Sequence, residues 1–243
     1  MLALLITLAA VGYGTAAGLA LPRAAYRLAV EPGEPWRAAC PQGHPLTGRA
    51  GGWLGTARCA GVPYGPHPVR VAVLTGVVCG ALAWAAGTVP EAAVWVLLAP
   101  FAVLLALVDR AVHRLPDVLT LPLAAGAAAL LGAAALTPGA AGSWRGGLLG
   151  GLVLGAAYFL LFLINPNGMG FGDVKLALAL GVALGWYGWG VLLVGAFLGF
   201  LYGGIYGLAL VLRGRAGRKT ALPFGPFMAA GAFTGLLLGG LGA

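Results

Sequence analysis

The chain has 243 residues, of which 60% are hydrophobic and only 8% are charged. A soluble domain carries about 25% charged residues, so this composition excludes a soluble globular protein. The net charge of +8 comes without a pattern of basic and aromatic residues, and nucleic-acid binding is therefore not expected. The composition is typical of a protein that crosses a lipid bilayer several times.

Eight apolar stretches follow one another along the chain, separated mostly by polar or Pro- and Gly-rich breaks. A membrane-spanning helix needs about 20 apolar residues, and most of the stretches have about that length. They cover approximately residues 2–22, 70–88, 91–108, 117–137, 144–164, 173–187, 188–212 and 221–242. The sequence predicts an all-α membrane helix bundle with about eight transmembrane helices and one long cytoplasmic loop.

The first stretch predicts a retained span, because its basic residue, Arg23, comes after the apolar run and not before it. The basic residues then give the orientation, since they concentrate on the cytoplasmic side of membrane proteins. If the loop 23–69 is cytoplasmic, all basic residues except Arg145 lie on that side. They are Arg23, Arg27, Arg37, Arg49, Arg58, Arg70, Arg110, Arg114, Lys175, Arg213, Arg215, Arg218 and Lys219.

Three aspartates lie at helix boundaries on this same face. Asp109 ends the third stretch, Asp117 opens the fourth and Asp173 opens the sixth, whereas Glu91 opens the third stretch at the opposite face. An ionisable group at membrane depth tends to point into the bundle or a wet cavity. Two adjacent carboxylates can share one proton, so that one activates water while the other protonates a carbonyl. The pattern allows an aspartyl protease.

The positions of the aspartates are also compatible with roles outside catalysis. Asp117 and Asp173 could cap their helices, and Asp109 could form an ion pair with Arg110. A transporter or channel would also place acidic residues near a membrane face. A nucleophile paired with histidine is not indicated, because His44, His67 and His113 all lie in loops without a suitable neighbour.

Three motifs resemble the type IV prepilin peptidases. The segment 170–175 reads Gly-Phe-Gly-Asp-Val-Lys and is similar to the family's glycine-x-glycine-aspartate signature. The segment 109–122 begins with Asp109, continues to Pro-Asp at Asp117 and ends in Thr-Leu-Pro. The segment 222–227, Leu-Pro-Phe-Gly-Pro-Phe, opens the last span, and residues 18–28 carry a weaker similarity. The resemblance covers nearly the whole chain.

The resemblance implies that Asp109 and Asp173 are the catalytic pair. It implies cleavage of a short basic leader from the hydrophobic helix of a prepilin or pseudopilin precursor, at the cytoplasmic face of the plasma membrane and without a required cofactor. The lipid bilayer and the precursor are then the expected partners. A non-catalytic transporter or a scaffold of a secretion apparatus is the alternative, and it predicts that the two carboxylates lie too far apart to share a water molecule.

Four further residues receive supporting roles from the resemblance. Asp117 matches a polar position of the family that is not one of its two essential acids. Gly170 and Gly172 have no side chains, which allows the backbone to bend and substrate to approach. Lys175 either biases which carboxylate ionises or anchors the helix at the cytoplasmic face.

The loop 23–69 departs from the family pattern. Many members carry two Cys-x-x-Cys pairs there, suited to zinc, whereas Cys40 and Cys59 each lack the second cysteine. His44 and His67 could replace the missing ligands only in a rearranged site, so a structural zinc is not expected. N-methylation with S-adenosylmethionine, which the family associates with this loop, is left open. The chain divides into a first transmembrane helix (1–22), this degenerate loop domain (23–69) and a seven-helix catalytic membrane domain (70–243).

Overall fold

A computed structural model describes residues 1–166, 168–215, 217 and 222–242, so Arg218 and Lys219 of the predicted basic face lie outside the described residues. The chain is mostly helical, with a small two-stranded sheet in the long loop. The elements are α1 (Leu2–Leu28), α2 (Arg49–Gly52), β1 (Arg58–Cys59), β2 (Val62–Pro63), α3 (Pro68–Ala86), α4 (Glu91–Val112), α5 (Asp117–Ala135), α6 (Trp144–Ile164), α7 (Phe171–Trp186), α8 (Trp189–Leu212) and α9 (Gly225–Leu241).

Eight of these helices correspond to the eight predicted apolar stretches, which confirms a polytopic helical membrane bundle. Six of them are long and apolar enough to cross a membrane alone. The other two, α7 and α9, have only 16 and 17 residues. At 1.5 Å per residue they are about 24 and 26 Å long, shorter than the hydrocarbon core of about 30 Å.

The sixth and seventh predicted stretches are separate helices, although only two residues divide them. The break lies at Gly188, whose φ of 102° belongs to the left-handed region that glycine adopts without strain. This turn reverses the chain between α7 and α8.

Glycine allows the backbones of α6 and α7 to touch. A Cβ atom at Gly181 would lie 2.5 Å from the carbonyl oxygen of Gly150, and one at Gly185 would lie 2.6 Å from that of Gly146. Larger residues at these positions would force the helices apart. In a bilayer such close packing takes the place of a hydrophobic driving force between helices. The contact fixes α7, which carries Asp173, against α6.

Helix α1 extends six residues beyond its predicted end at residue 22. Pro22 lies inside the helix without ending it. The added turns present arginines to the loop: Arg23 Nη1 donates to the Thr47 carbonyl at 2.7 Å, and Arg27 Nη1 donates to that of Gly51 at 3.0 Å. The long loop is therefore packed on the end of α1. Within it, β1 and β2 form an antiparallel pair, and Ala39 bridges to Pro45.

Candidate active site

Asp109 lies in the last turns of α4, and its side chain is buried, with 4% of its surface exposed. Its Oδ2 accepts a hydrogen bond of 2.9 Å from the backbone N–H of Gly225, the first residue of α9. A Cβ at Gly225 would lie 2.9 Å from the same oxygen, so glycine permits this approach. The unpaired N–H groups of a helix N-terminus favour a carboxylate here.

Asp173 lies in the first turn of α7 and is also buried, with 6% of its surface exposed. Its Oδ2 accepts a hydrogen bond of 3.1 Å from the N–H of Gly170, and the Gly170 carbonyl accepts one from the N–H of Asp173 at 3.0 Å. These reciprocal bonds hold the carboxylate over its own helix end. Gly172 allows α7 to start against the linker between α4 and α5, since a Cβ there would lie 2.8 Å from Cβ of Leu115.

Asp109 and Asp173, which are 64 positions apart in the chain, lie at the same end of the bundle, on α4 and α7. Both carboxylates are buried, and each lies within the electrostatic range of the other. Two neighbouring carboxyl groups can share one proton, which would give the site one base and one acid.

Asp117 and Lys175 form an ion pair with each other. Lys175 Nζ is 2.6 Å from Asp117 Oδ1, and the Asp117 side chain is 62% exposed. The same ammonium group sits 4.8 Å from the ring centroid of Phe171. Among the described residues, Lys175 therefore pairs with Asp117 and with neither buried carboxylate.

Two residues of the site, Gly225 and Tyr158, have no site role predicted from the sequence. Gly225 lies in a motif that indicates the family, but its hydrogen bond to Asp109 depends on a contact across 116 positions. Tyr158 of α6 is buried, interacts electrostatically with Asp173, and packs between the rings of Phe200 and Phe224. A tyrosine inside an apolar helix is only a weak signal by sequence.

A second cluster, in the long loop, has the chemistry of a metal site. The ligand atoms of Cys40, His44 and Cys59 all lie within 4.8 Å of one another. The two sulfurs are 2.8 Å apart, and Nδ1 of His44 is 3.1 Å from the sulfur of Cys59. Burial raises the pKa of Cys40, but hydrogen bonds with Cys59, with the backbone at Gln42 and with His44 outweigh it and lower this pKa to about 7.

This donor set fits zinc in its chemistry, with two thiols and one imidazole. Tetrahedral zinc holds thiolates about 3.8 Å apart, given zinc–sulfur bonds of about 2.3 Å, so Cys40 and Cys59 would have to separate by about 1 Å. His67, the other suggested replacement ligand, is not part of the cluster. The expectation of no structural zinc stays a prediction.

Comparison with known proteins identifies relatives over most of the chain. The model of the Type IV leader peptidase family matches residues 96–208, a range that contains Asp109, Asp117 and Asp173. The chain is 34% identical to the prepilin leader peptidase/N-methyltransferase of Aeromonas salmonicida over 219 residues, which cover 84% of this chain and 72% of that protein. For the protein of the same name from Pseudomonas aeruginosa, the identity is 33% over 174 residues, covering 70% of this chain and 57% of that protein.

The protein of the same name from Bacillus subtilis is 40% identical over 102 residues, which cover 40% of this chain and 38% of that protein. No solved structure matches the chain. The matched range of the family model contains both buried aspartates, and the Aeromonas salmonicida protein is similar over most of this chain. The chain therefore belongs to the Type IV leader peptidase family.

Proposed function

We propose that this membrane protease removes the basic leader from type IV prepilin or pseudopilin precursors, with Asp109 and Asp173 as its catalytic residues. The observation that carries the proposal is that two buried carboxylates, one from α4 and one from α7, lie at the same end of the bundle. A transporter or scaffold would leave each aspartate satisfied separately at its own helix end. Asp173 does bond to its own helix end, but Asp109 bonds to the first residue of α9 and not to α4.

The hydrogen bonds leave one oxygen of each carboxylate available for catalysis. In both aspartates Oδ2 accepts from a glycine N–H, whereas Oδ1 has no hydrogen-bond partner among the described residues. The glycine N–H groups thus fix the orientation of both carboxylates. Each Oδ1 is left for a water molecule or for the substrate.

The reaction follows from one charged and one protonated carboxyl group. The carboxylate takes a proton from water while the oxygen of that water bonds to the scissile carbonyl carbon, and the carboxylic acid protonates the carbonyl oxygen. When the tetrahedral intermediate collapses, the carbon–nitrogen bond breaks and the departing amine takes the proton held by the first carboxyl group. At the same time one hydroxyl of the intermediate returns its proton to the second carboxylate as the new carboxyl group forms. The pair returns to one proton, and no metal or cofactor is needed for this balance.

The charge distribution supports a cytoplasmic location for the site. Asp109 and Asp173 lie at the end of the bundle that carries the long loop and Arg110, Arg114 and Lys175. Basic residues concentrate on the cytoplasmic side of a bacterial plasma membrane. The proposal is limited to proteolysis in that membrane and does not extend to the methyltransferase activity named for the relatives.

The test replaces each acid by its amide and measures cleavage of a co-expressed precursor. Asp109→Asn and Asp173→Asn are each expected to lower the rate at least 10²-fold, because each removes a general acid or base, whose contribution is about 10²- to 10⁴-fold. Asp117→Asn is the matched control. It loses only an exposed ion pair, worth about 0–1 kcal/mol, and is expected to cleave at close to the wild-type rate.

Membrane insertion and thermal unfolding of all three variants show whether they are folded. A folded Asp109→Asn or Asp173→Asn variant that still cleaves rapidly would overturn the assignment of the pair. Equal losses in all three variants would point instead to a general effect of charge at this face.

A further inference from the structure

A cavity of about 540 Å³ with a strongly basic lining opens at the same end of the bundle. It lies between the end of α1, the start of α3, the end of α4 and the loop residues 64–67. Three guanidinium groups line it, those of Arg37, Arg70 and Arg110, together with His67. No acidic residue is among the residues described in this lining.

A second cavity of about 460 Å³ lies in the membrane-spanning part of the bundle. It follows α4 from Trp95 to Arg110, a distance of about 22 Å along the helix axis, and its lining is apolar except for Arg110. Leu74, Leu107 and Arg110 line both cavities. A cationic cavity and an apolar cavity therefore adjoin at these three residues.

Two of the three arginines that line the first cavity have guanidinium N–H groups without a hydrogen-bond partner among the described residues. Arg70 and Arg110 are exposed and form no hydrogen bond or ion pair with the residues that the structure describes. Arg37 is held in place, since its Nη1 donates to the Tyr26 carbonyl at 3.1 Å and its guanidinium lies 4.6 Å from the centroid of the Tyr26 ring. Guanidinium groups recognise phosphate oxygens in a bidentate manner, and Arg37 is already oriented for such contacts.

We propose that the two cavities bind one anionic phospholipid, with its phosphate among Arg37, Arg70 and Arg110 and an acyl chain in the apolar cavity. Basic pockets between transmembrane helices on the cytoplasmic side suit anionic lipid head groups, which are enriched in that leaflet. The adjoining apolar cavity distinguishes a lipid from free phosphate. The basic leader of the proposed substrate would be repelled by three arginines, so the charge of the cationic cavity favours an anionic occupant.

The test measures binding of phosphatidylglycerol to the purified full-length protein in nanodiscs of phosphatidylcholine, by native mass spectrometry. The double variant Arg70→Gln/Arg110→Gln is expected to bind roughly thirtyfold more weakly, from about 1 kcal/mol per arginine near the membrane surface. The matched control is Arg49→Gln/Arg58→Gln, which removes two exposed arginines of the same face that line neither cavity. Its affinity is expected to stay within about twofold of wild type.

A second variant tests the place of the acyl chain. Ala106 lines only the apolar cavity, and Ala106→Phe fills space next to Leu107 and Arg110. This variant is expected to lose affinity for long-chain phosphatidylglycerol while it keeps all the arginines. Circular dichroism and thermal unfolding establish that each variant is folded.

Four results would overturn the proposal. Phosphatidylcholine could bind as tightly as phosphatidylglycerol, or the control double variant could lose as much affinity as the test variant. Inorganic phosphate at millimolar concentration could displace the lipid, which would reduce the site to a free-anion site. Competitive displacement by the apolar helix of a precursor would assign the cavity to the substrate.

Discussion

At the scale of single residues, backbone N–H groups at glycines orient the two buried aspartates. Gly225 donates to Asp109 from the first turn of α9, and Gly170 donates to Asp173 from the start of α7. Charge-assisted hydrogen bonds of this kind are shorter and stronger than neutral ones. The proposed catalytic geometry therefore depends on how closely the glycine backbones approach the carboxylates.

The Gly225→Ala variant tests this dependence. Its Cβ would lie 2.9 Å from Asp109 Oδ2, so either the Asp109 side chain or the first turn of α9 has to shift, and either movement lengthens the hydrogen bond. Loss of a hydrogen bond to a charged group, about 1.5–3 kcal/mol, predicts that precursor cleavage slows roughly 10- to 100-fold. Gly126→Ala is the control, since a Cβ there meets nothing within 4 Å. Wild-type cleavage by Gly225→Ala would show that the contact does not contribute.

Glu91 carries a structural role at the opposite end of the bundle. It is fully buried, and its Oε1 accepts from Trp186 Nε1 at 2.9 Å and from the N–H of Ala141 at 3.1 Å. Glu91→Ala leaves these two donors unpaired and is expected to destabilise the fold by about 2–4 kcal/mol. Glu91→Gln keeps an acceptor oxygen and should unfold at a higher temperature than Glu91→Ala. Equal unfolding temperatures, measured by circular dichroism, would contradict this role.

The sequence predicts the roles of some of these residues but not the contacts of others. Asp109 and Asp173 were selected by motifs that lie next to them in the chain. Glu91 was expected only to open a helix, because its partner Trp186 is 95 positions away and gives no local signal. The contact of Gly225 with Asp109 was missed for the same reason, since it depends on the packing of α9 against α4.

At the scale of elements, the long loop and the two buried aspartates belong to different parts of the structure. Its Cys40, His44 and Cys59 cluster is built on β1 and the turn at 40–44, whereas the proposed catalytic pair lies on α4 and α7. The sequence showed the two cysteines but not their convergence with His44. That convergence requires the antiparallel pairing of β1 with β2 and the bridge between Ala39 and Pro45.

Treatment with a chelator tests whether proteolysis depends on a metal bound in the long loop. Incubation with a chelator is expected to leave precursor cleavage within about twofold of the untreated enzyme, because the proposed acid–base chemistry uses only carboxyl groups. Zinc added to the chelated protein is expected to leave limited proteolysis of the loop unchanged, because Cys40 and Cys59 would have to separate by about 1 Å to bind it. Protection by zinc that Cys40→Ser removes would overturn the expectation of no structural zinc. Loss of cleavage on chelation would contradict a metal-free mechanism.

At the scale of the whole molecule, the helical order was predictable because a bilayer leaves few choices. Each span must be apolar and must satisfy its own backbone hydrogen bonds, so the apolar stretches mark the helices directly. The shortness of α7 is visible in the sequence, since its predicted stretch, 173–187, is no longer than the helix. The shortness of α9 is not, since its predicted stretch, 221–242, begins before the helix does. The pairing of Asp109 with Asp173 is implied by the family resemblance and not by spacing.

The orientation of the whole bundle is a separate prediction from the basic residues. Arg49→Cys lies in the long loop and is expected to resist a membrane-impermeant thiol reagent in intact cells. Leu136→Cys, at the exposed end of α5 on the opposite side, is expected to react. Variants that lack Cys40, Cys59 and Cys79 provide the background. The reverse labelling pattern would invert the proposed topology.

The short helix α7 also determines how deep the proposed reaction takes place. Trp186 is tied to Glu91 at the far end, and from there to Asp173 the helix is only about 20 Å long. A hydrocarbon core of about 30 Å would rise above the carboxylates on their own side. Apart from Phe171, every residue of α7 is buried or half-buried, so neighbouring helices and not lipid surround it. We therefore expect a recess between the longer helices above Asp173, through which interfacial water reaches the buried pair of acids.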